Sequence, residues 1–149
     1  MIADALPDLL TDCDVAVRSV AARRTFWEKA MLLHEETYRP ADKRRKARLS
    51  RHYYDLHRLI EHGVAAEALA DGGLLERVVA HRREFFAQSW VDYETMRRGR
   101  LRLAPLPNQE ADWRSDYEAM KDEMFFGEPP SFDAVLDTVR TFENVVNNA

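Results

Sequence analysis

One cysteine, Cys13, occurs in 149 residues, so the chain forms no internal disulfide and cannot supply a thiolate metal cluster, in keeping with a reducing compartment. Cys13 reads as a small residue near a strand rather than a reactive thiol. No apolar run is long enough to span a bilayer, and Met1-Ile2-Ala3-Asp4 lacks the basic region and apolar stretch of a leader peptide. No membrane partner is therefore expected, and the default address is the cytoplasm. Glycine is scarce, and none precedes Gly63, so the N-terminal third has no small-residue turn of the kind that cradles phosphate. The five histidines, His34, His52, His57, His62 and His81, do not fall in His-x-x-x-His or another recognised ligand spacing, so no metal ligand is assigned.

With 46% hydrophobic and 32% charged residues, the chain can bury a real core and is treated as one domain. Its net charge of -4 is unevenly spread. Between Arg39 and Arg51 stand Arg39, Lys43, Arg44, Arg45, Lys46, Arg48 and Arg51 against Asp42 alone, a local net of +6 that leaves -10 for the remainder. Such polarity steers a polyanion to one face. A solvated loop and a nucleic-acid surface both fit this run. On the second reading Lys43, Arg44, Arg45, Lys46 and Arg48 meet phosphates, while His52, Tyr53, Tyr54 and His57 lie close by for stacking.

Periodicity predicts helices almost throughout. Ala3 to Leu10 reads as a short amphipathic turn despite Pro7, and Asp14 to Val20, with valines at 15, 17 and 20, is the one strand candidate. Thr25 and Glu28 have the capping-box spacing, which makes Thr25 the expected N-cap of a helix to about Tyr38. That helix carries Phe26, Ala30 and Leu33 on one stripe, with Trp27 and Met31 beside it. Ser50 starts a second helix whose face is Leu49, Tyr53, Leu56 and Ile60, closed by Gly63. Val64 to Ala70 continues as a short helix, Leu74 to about Gln88 forms another with Phe85 and Phe86 among its apolar residues, and Trp90 to Arg98 adds a turn or two. Arg100 to Leu103, followed by Pro105 and Pro107, reads as an extended connector rather than a sheet strand. Asn108 is the expected cap of a helix striped by Trp113, Tyr117, Met120 and Met124. Ser131 is the expected cap of the last, striped by Phe132, Val135, Leu136, Val139, Phe142 and Val146. The expected fold is mainly α, a single helical bundle-like domain with at most one short strand or hairpin near the N-terminus.

Lys29, placed in the first turn after Thr25 beside buried aromatics, is disfavoured by the helix dipole unless an anion lies nearby. It is either a phosphate ligand or a surface lysine paired with a carboxylate. Asp55 stands four residues after Arg51 and three before Arg58, which makes either a helix-surface ion pair or an acid turned toward Lys29 or a metal. Asp12-Cys13-Asp14 has the form of an Asp-x-Asp pair that holds Mg²⁺, although so common a spacing is more often structural.

Taken together, Arg24-Thr25-Phe26-Trp27-Glu28-Lys29 with Leu33-His34, Ser50-Arg51-His52-Tyr53-Tyr54-Asp55-Leu56, and the late Asp116-Tyr117-Glu118-Ala119-Met120 with Met124-Phe125-Phe126-Gly127-Glu128-Pro129-Pro130 resemble the AbiEii/AbiGii nucleotidyltransferase toxin family. The resemblance covers nearly the whole chain and is to the family's C-terminal part. It implies that Lys29 is the helix lysine contacting nucleotide phosphates, that Asp55 is the last acid of the later motif, and that Arg51 fills that motif's basic place. The catalytic pair is thus Lys29 and Asp55, and the nucleotide is bound by Lys29 and Arg51. His52 departs from the family, where an acid is usual. The glycine-containing first motif and the Asp-x-Asp second motif are not found, and Asp12 and Asp14 stand too close to the lysine motif to replace them.

The resemblance therefore implies a helical C-terminal domain, residues 1–149, whose N-terminal nucleotidyltransferase core is a missing partner. It further implies tRNA as acceptor and an antitoxin protein as partner. Mg²⁺ and an NTP serve the intact family, and neither is expected bound to this chain alone. The alternative is a non-catalytic helical module that binds RNA or the antitoxin.

Overall fold

The computed structural model describes residues 20–124 and 127–149, with backbone alone at Met124. Six α-helices follow one another: α1 (Ala22–Thr37), α2 (Arg51–Glu61), α3 (Val64–Ala70), α4 (Leu74–Phe85), α5 (Glu110–Met124) and α6 (Phe132–Asn148), with a 3₁₀ turn at Tyr93–Thr95. No strand occurs among the described residues. The molecule is mainly α, as its periodicities require. The expected helical turn at Ala3 to Leu10, the strand up to Val20, and Cys13, Asp12 and Asp14 lie outside the described residues, apart from Val20 itself, which is exposed and non-helical.

The first helix is the axis. Phe26, Trp27, Ala30, Met31 and Leu33 are fully buried, because α1 is packed against α2, α3 and α4 at once. Phe26 meets Trp27 edge-on at 5.2 Å and Phe142 of α6 at 5.0 Å, the edge-to-face arrangement that ring quadrupoles favour. The Trp27 indole N–H donates to the carbonyl of Ala68 at 3.2 Å. Helix α2 packs between α1 and α6. Its Tyr53 lies edge-on to Trp113 at 4.8 Å and donates its hydroxyl to the carbonyl of Leu103 at 2.9 Å. The stripes of α5 and α6 behave as their spacing dictates, since Trp113, Tyr117, Met120 and all six apolar residues named for α6 are buried.

Several local expectations are corrected. Thr25 is not the N-cap of α1. The helix begins at Ala22 after Ala21, whose carbonyl already accepts from the amides of Arg24 and Thr25. An amide used in this way leaves Thr25 helical, and Glu28 turns instead toward Arg82 at 3.2 Å. Lys29 therefore sits two turns into the helix, beyond reach of the N-terminal dipole. Ser50 precedes α2 but its side chain does not cap it. Its hydroxyl and amide both donate to Asp116 Oδ2, at 2.6 and 2.9 Å. Gln109 rather than Asn108 closes the turn before α5, accepting from the amide of Leu106 at 3.2 Å. Helix α4 ends at Phe85, and Phe85 and Phe86 are 64% and 52% exposed. Ser131 does cap α6, accepting from the amide of Ala134. Gly63, at φ +79°, takes the left-handed turn between α2 and α3 that disfavours a side chain.

Residues 100–104 form the extended connector, and it has no strand beside it. Asn147 of α6 takes both ladder bonds of Leu101, accepting from its amide at 2.9 Å and donating to its carbonyl at 2.8 Å. Glu143 accepts from the amides of Leu103 and Ala104. Two side chains of one helix thus satisfy the backbone groups that burial of Leu101 and Leu103 would otherwise leave orphaned.

Candidate functional site

Helices α1 and α2 bring Lys29 and Asp55 together, Nζ to Oδ2 at 2.7 Å, with the side chains 22% and 38% exposed. Asp55 is not held between Arg51 and Arg58. Arg58 pairs with Glu61 at 2.9 Å, and Arg51 is exposed and makes no ion pair with another described residue. Three residues, Lys29, Arg51 and Asp55, therefore sit around one junction of two helices, and two of them are in direct contact. The carboxylate fixes the ammonium in place without burying it, so a second anion can reach the lysine.

His52, one turn before Asp55, lies beside this pair. Burial, followed by the nearby charges of Lys29 and Arg51, lowers its pKa to about 4, against a small opposing effect of Asp55. Its ring is neutral near pH 7. Its Nδ1 is shielded from solvent and has no hydrogen-bond partner among the described residues.

Arg82 was not legible as part of this neighbourhood. From α4 it donates to both oxygens of Glu35 at 2.8 Å and to Glu28 Oε2 at 3.2 Å, and these hydrogen bonds raise its pKa although burial opposes them. The sequence signal was there. Leu75, Val78 and Arg82 share one helical face, so a charge occupies a core-facing position and must find buried partners. Arg24 and Glu28 add a longer contact of 3.6 Å at the same edge. Val20, Leu32, Lys29, His52, His81 and Phe86 are among the residues that line a cleft of about 470 Å³ beside it.

The basic loop is less free than its composition implies. Arg39 is bidentate to Glu36 at 2.7 and 2.6 Å. Arg45 donates to Glu36 at 3.1 Å and lies 3.9 Å over the ring of Trp113. Arg48 pairs with Glu123. Lys43 stands 5.0 Å over Trp90, while Arg44 and Lys46 are exposed and make no ion pair with described residues. Arg44 and Lys46 therefore keep their charge in solvent and Lys43, though exposed, sets its ammonium over Trp90, whereas Arg45 and Arg48 fasten the loop. Arg44 lines two adjoining clefts of about 430 and 450 Å³.

The loop's end is anchored by Asp116. It accepts from the amide of Arg48 at 2.6 Å as well as from Ser50, which holds Arg48 at φ +67°. Burial works against the Asp116 charge, but these hydrogen bonds from Ser50 and Arg48 outweigh it and keep the carboxyl below its usual range.

A family model described as the AbiEii nucleotidyl transferase toxin of a type IV toxin–antitoxin system matches residues 4–138. The chain belongs to the AbiEii nucleotidyl transferase toxin family. Neither a curated protein nor a solved structure matches it. Type IV membership implies an antitoxin counterpart, and no described helix is long and apolar enough to cross a membrane. AbiEii resemblance also implies Mg²⁺, but no three His, Cys, Asp or Glu side chains among the described residues converge as a metal site. The carboxylate best placed for phosphate chemistry, Asp55, is already engaged by Lys29. The described donors do not fit the ion.

Proposed function

We propose that this chain is the helical, phosphate-holding and acceptor-binding part of a nucleotidyltransferase toxin, which moves a nucleotidyl group from an NTP to an acceptor RNA such as tRNA. The observation that carries this reading is the Lys29–Asp55 contact at 2.7 Å, half-open to solvent on adjoining helices. An acceptor hydroxyl attacks the α-phosphorus and gives up its proton to solvent, the α–β phosphoanhydride bond breaks, and pyrophosphate leaves with the electron pair. Lys29 neutralises phosphate oxygens as their charge redistributes, and Asp55 keeps its ammonium oriented. Arg51, exposed beside them, is a second cation for the polyphosphate tail. Lys43, Arg44 and Lys46 meet acceptor phosphates. The site and its reaction belong to the cytoplasm, where tRNA and NTPs are found.

The metal-binding carboxylates of the intact enzyme come from a nucleotidyltransferase core outside this helical part. The lack of a converging group of three His, Cys, Asp or Glu among the described residues and the lack of glycine before Gly63 support that division. Incubating the chain with tRNA and α-phosphate-labelled NTPs is expected to leave the tRNA unlabelled, and incorporation of label would overturn the division. Inorganic tripolyphosphate, followed by ³¹P NMR, is expected to bind in a manner that Lys29→Gln weakens at least five-fold. Indifference to that substitution would remove Lys29 from the phosphate site.

A second reading, an RNA-binding module without chemistry, draws on the outward cations of the loop. It requires salt-dependent tRNA binding together with tripolyphosphate binding that ignores Lys29.

A further inference from the structure

Trp90 is a tryptophan outside the core. It lies between α4 and the 3₁₀ turn at Tyr93–Thr95, and it belongs neither to the buried cluster nor to the partly buried apolar residues packed against that cluster. The other two tryptophans, Trp27 and Trp113, are 0% and 1% exposed. Trp27 gives its indole N–H to the carbonyl of Ala68, whereas that of Trp90 has no hydrogen-bond partner among the described residues. Large aromatic rings stabilise a fold chiefly through the area they bury. A partly exposed indole beside the core contributes little of that, so packing gives this position small reason to be tryptophan.

Charge flanks the ring instead. Arg39 Cζ stands 5.4 Å and Lys43 Nζ 5.0 Å from its centroid, both within cation–π range. The two cations are held differently. Arg39 is bidentate to Glu36 and stays fixed beside the indole. Lys43 is exposed and makes no ion pair with a described residue, so its ammonium is held by the ring alone. A cation–π contact at an exposed site is weaker than a base–aromatic stack, so a nucleotide can displace it, the base taking the ring face and Lys43 turning to phosphate. Both cations also line, with Arg44, the cleft of about 430 Å³, which makes the ring and the loop's charges parts of one surface. The aromatic residues that spacing placed near the loop do not serve it. Tyr53 is fully buried with its hydroxyl on Leu103, and His57 is buried with its Nδ1 2.9 Å from Thr138 Oγ1 of α6.

We propose that Trp90 is the stacking platform for an unpaired nucleotide of the acceptor RNA, with Arg39 as the fixed cation beside the base and Lys43 and Arg44 on the flanking phosphates. The inference rests on the acceptor-binding role of the loop and adds what that role leaves open, the form of RNA that the loop selects. Bases inside a duplex are stacked on one another and present no free face, whereas an unpaired base can be splayed onto an aromatic side chain. Cations alone would take either form, and the indole favours the single strand.

The intrinsic fluorescence of the full chain tests this. Of its three tryptophans, Trp27 and Trp113 are buried, so a stacked base quenches Trp90 alone. Titration with a short single-stranded oligouridylate is expected to quench the emission saturably, and an RNA duplex of the same strand length is expected to bind without quenching it. Trp90→Leu is expected to abolish the quench and to weaken single-strand binding, read by anisotropy, about ten-fold, within the range of one lost base–aromatic stack. Trp90→Phe keeps a ring and is expected to keep most of the affinity. Should Trp90→Leu fail to fold, the quench in the unaltered chain decides alone. Single-strand binding with unchanged emission, equal quenching by the duplex, affinity indifferent to Trp90→Leu, or a Trp90→Phe variant as weak as Trp90→Leu overturns the platform while leaving the loop as a phosphate surface. Binding of neither RNA overturns the acceptor reading together with it.

Discussion

His34 shows how a single side chain ties the core to the connector. It is fully buried in the last turn of α1, its Nδ1 accepts the amide of Arg102 at 3.0 Å, and its Nε2 therefore bears the hydrogen donated to the hydroxyl of Thr95 at 2.9 Å. Burial, then the Arg102 charge, lowers its pKa from 6.5 to about 4, and His52 is lowered to a similar value. The unfolded chain binds more protons than the folded one between these limits, so stability is full above pH 6.5 and falls as the pH drops toward 4. His34 alone accounts for roughly 3 kcal/mol of that loss. Urea midpoints at pH 7.5 and 4.5 check this, and equal midpoints would contradict it. Nothing in the residue order marked His34 for this task, because its two partners are 61 and 68 positions away. Lys29 and Asp55 were nominated by motif spacing, but their contact depended on how α1 and α2 cross. The pairing of the loop arginines is equally opaque, since Glu36 and Glu123 are ordinary acids until the fold brings them to Arg45 and Arg48.

At the scale of the helix, apolar spacing was a reliable guide wherever a helix buries one stripe, as α2, α5 and α6 do. It failed at the ends. Capping depends on which amides remain free, and at α1 the carbonyl of Ala21 had already claimed the amides of Arg24 and Thr25. Two alanine substitutions separate the cases. Ser131→Ala, which removes an acceptor from the amide of Ala134, is expected to lower stability by about 1 kcal/mol. Thr25→Ala, in a helix interior, is expected to change it by less than about 0.5 kcal/mol, because alanine has the higher helix propensity. Thermal or urea unfolding of both variants reads the difference, and a larger loss at Thr25 would restore it as a cap. The aromatic end of α4 misled for another reason. Phe85 and Phe86 keep the phase of Leu75, Val78 and Arg82, but the helix ends at Phe85 and both rings are mostly exposed, Phe86 at the cleft rather than in the core.

For the molecule as a whole, charge is sorted rather than balanced. The loop's formal +6 is partly consumed by Glu36 and Glu123, which leaves Lys43, Arg44 and Lys46 as the outward set. Replacing all three by glutamine is expected to reduce the dependence of log K on log salt for tRNA binding by about 2, from roughly 0.7 per single-stranded phosphate contact released. Anisotropy titrations across a salt series measure the slope, and an unchanged slope would place the RNA elsewhere. Composition revealed the polarity of the chain but not its outward members, because pairing between distant acids and the loop is a property of the packed helices.

The clamp of Glu143 and Asn147 on residues 101–104 has a consequence for synthesis. The acceptors for Leu103 and Leu101 lie 40 and 46 residues later in the chain. The connector is thus synthesised before α6 exists to hold it, and its backbone lacks these partners until α6 is made. Helices α1 to α4 can associate during translation, but the contact that locks them to the second half waits for the last turns of α6. A chain assembled in this order acquires its finished shape only when α6 is complete.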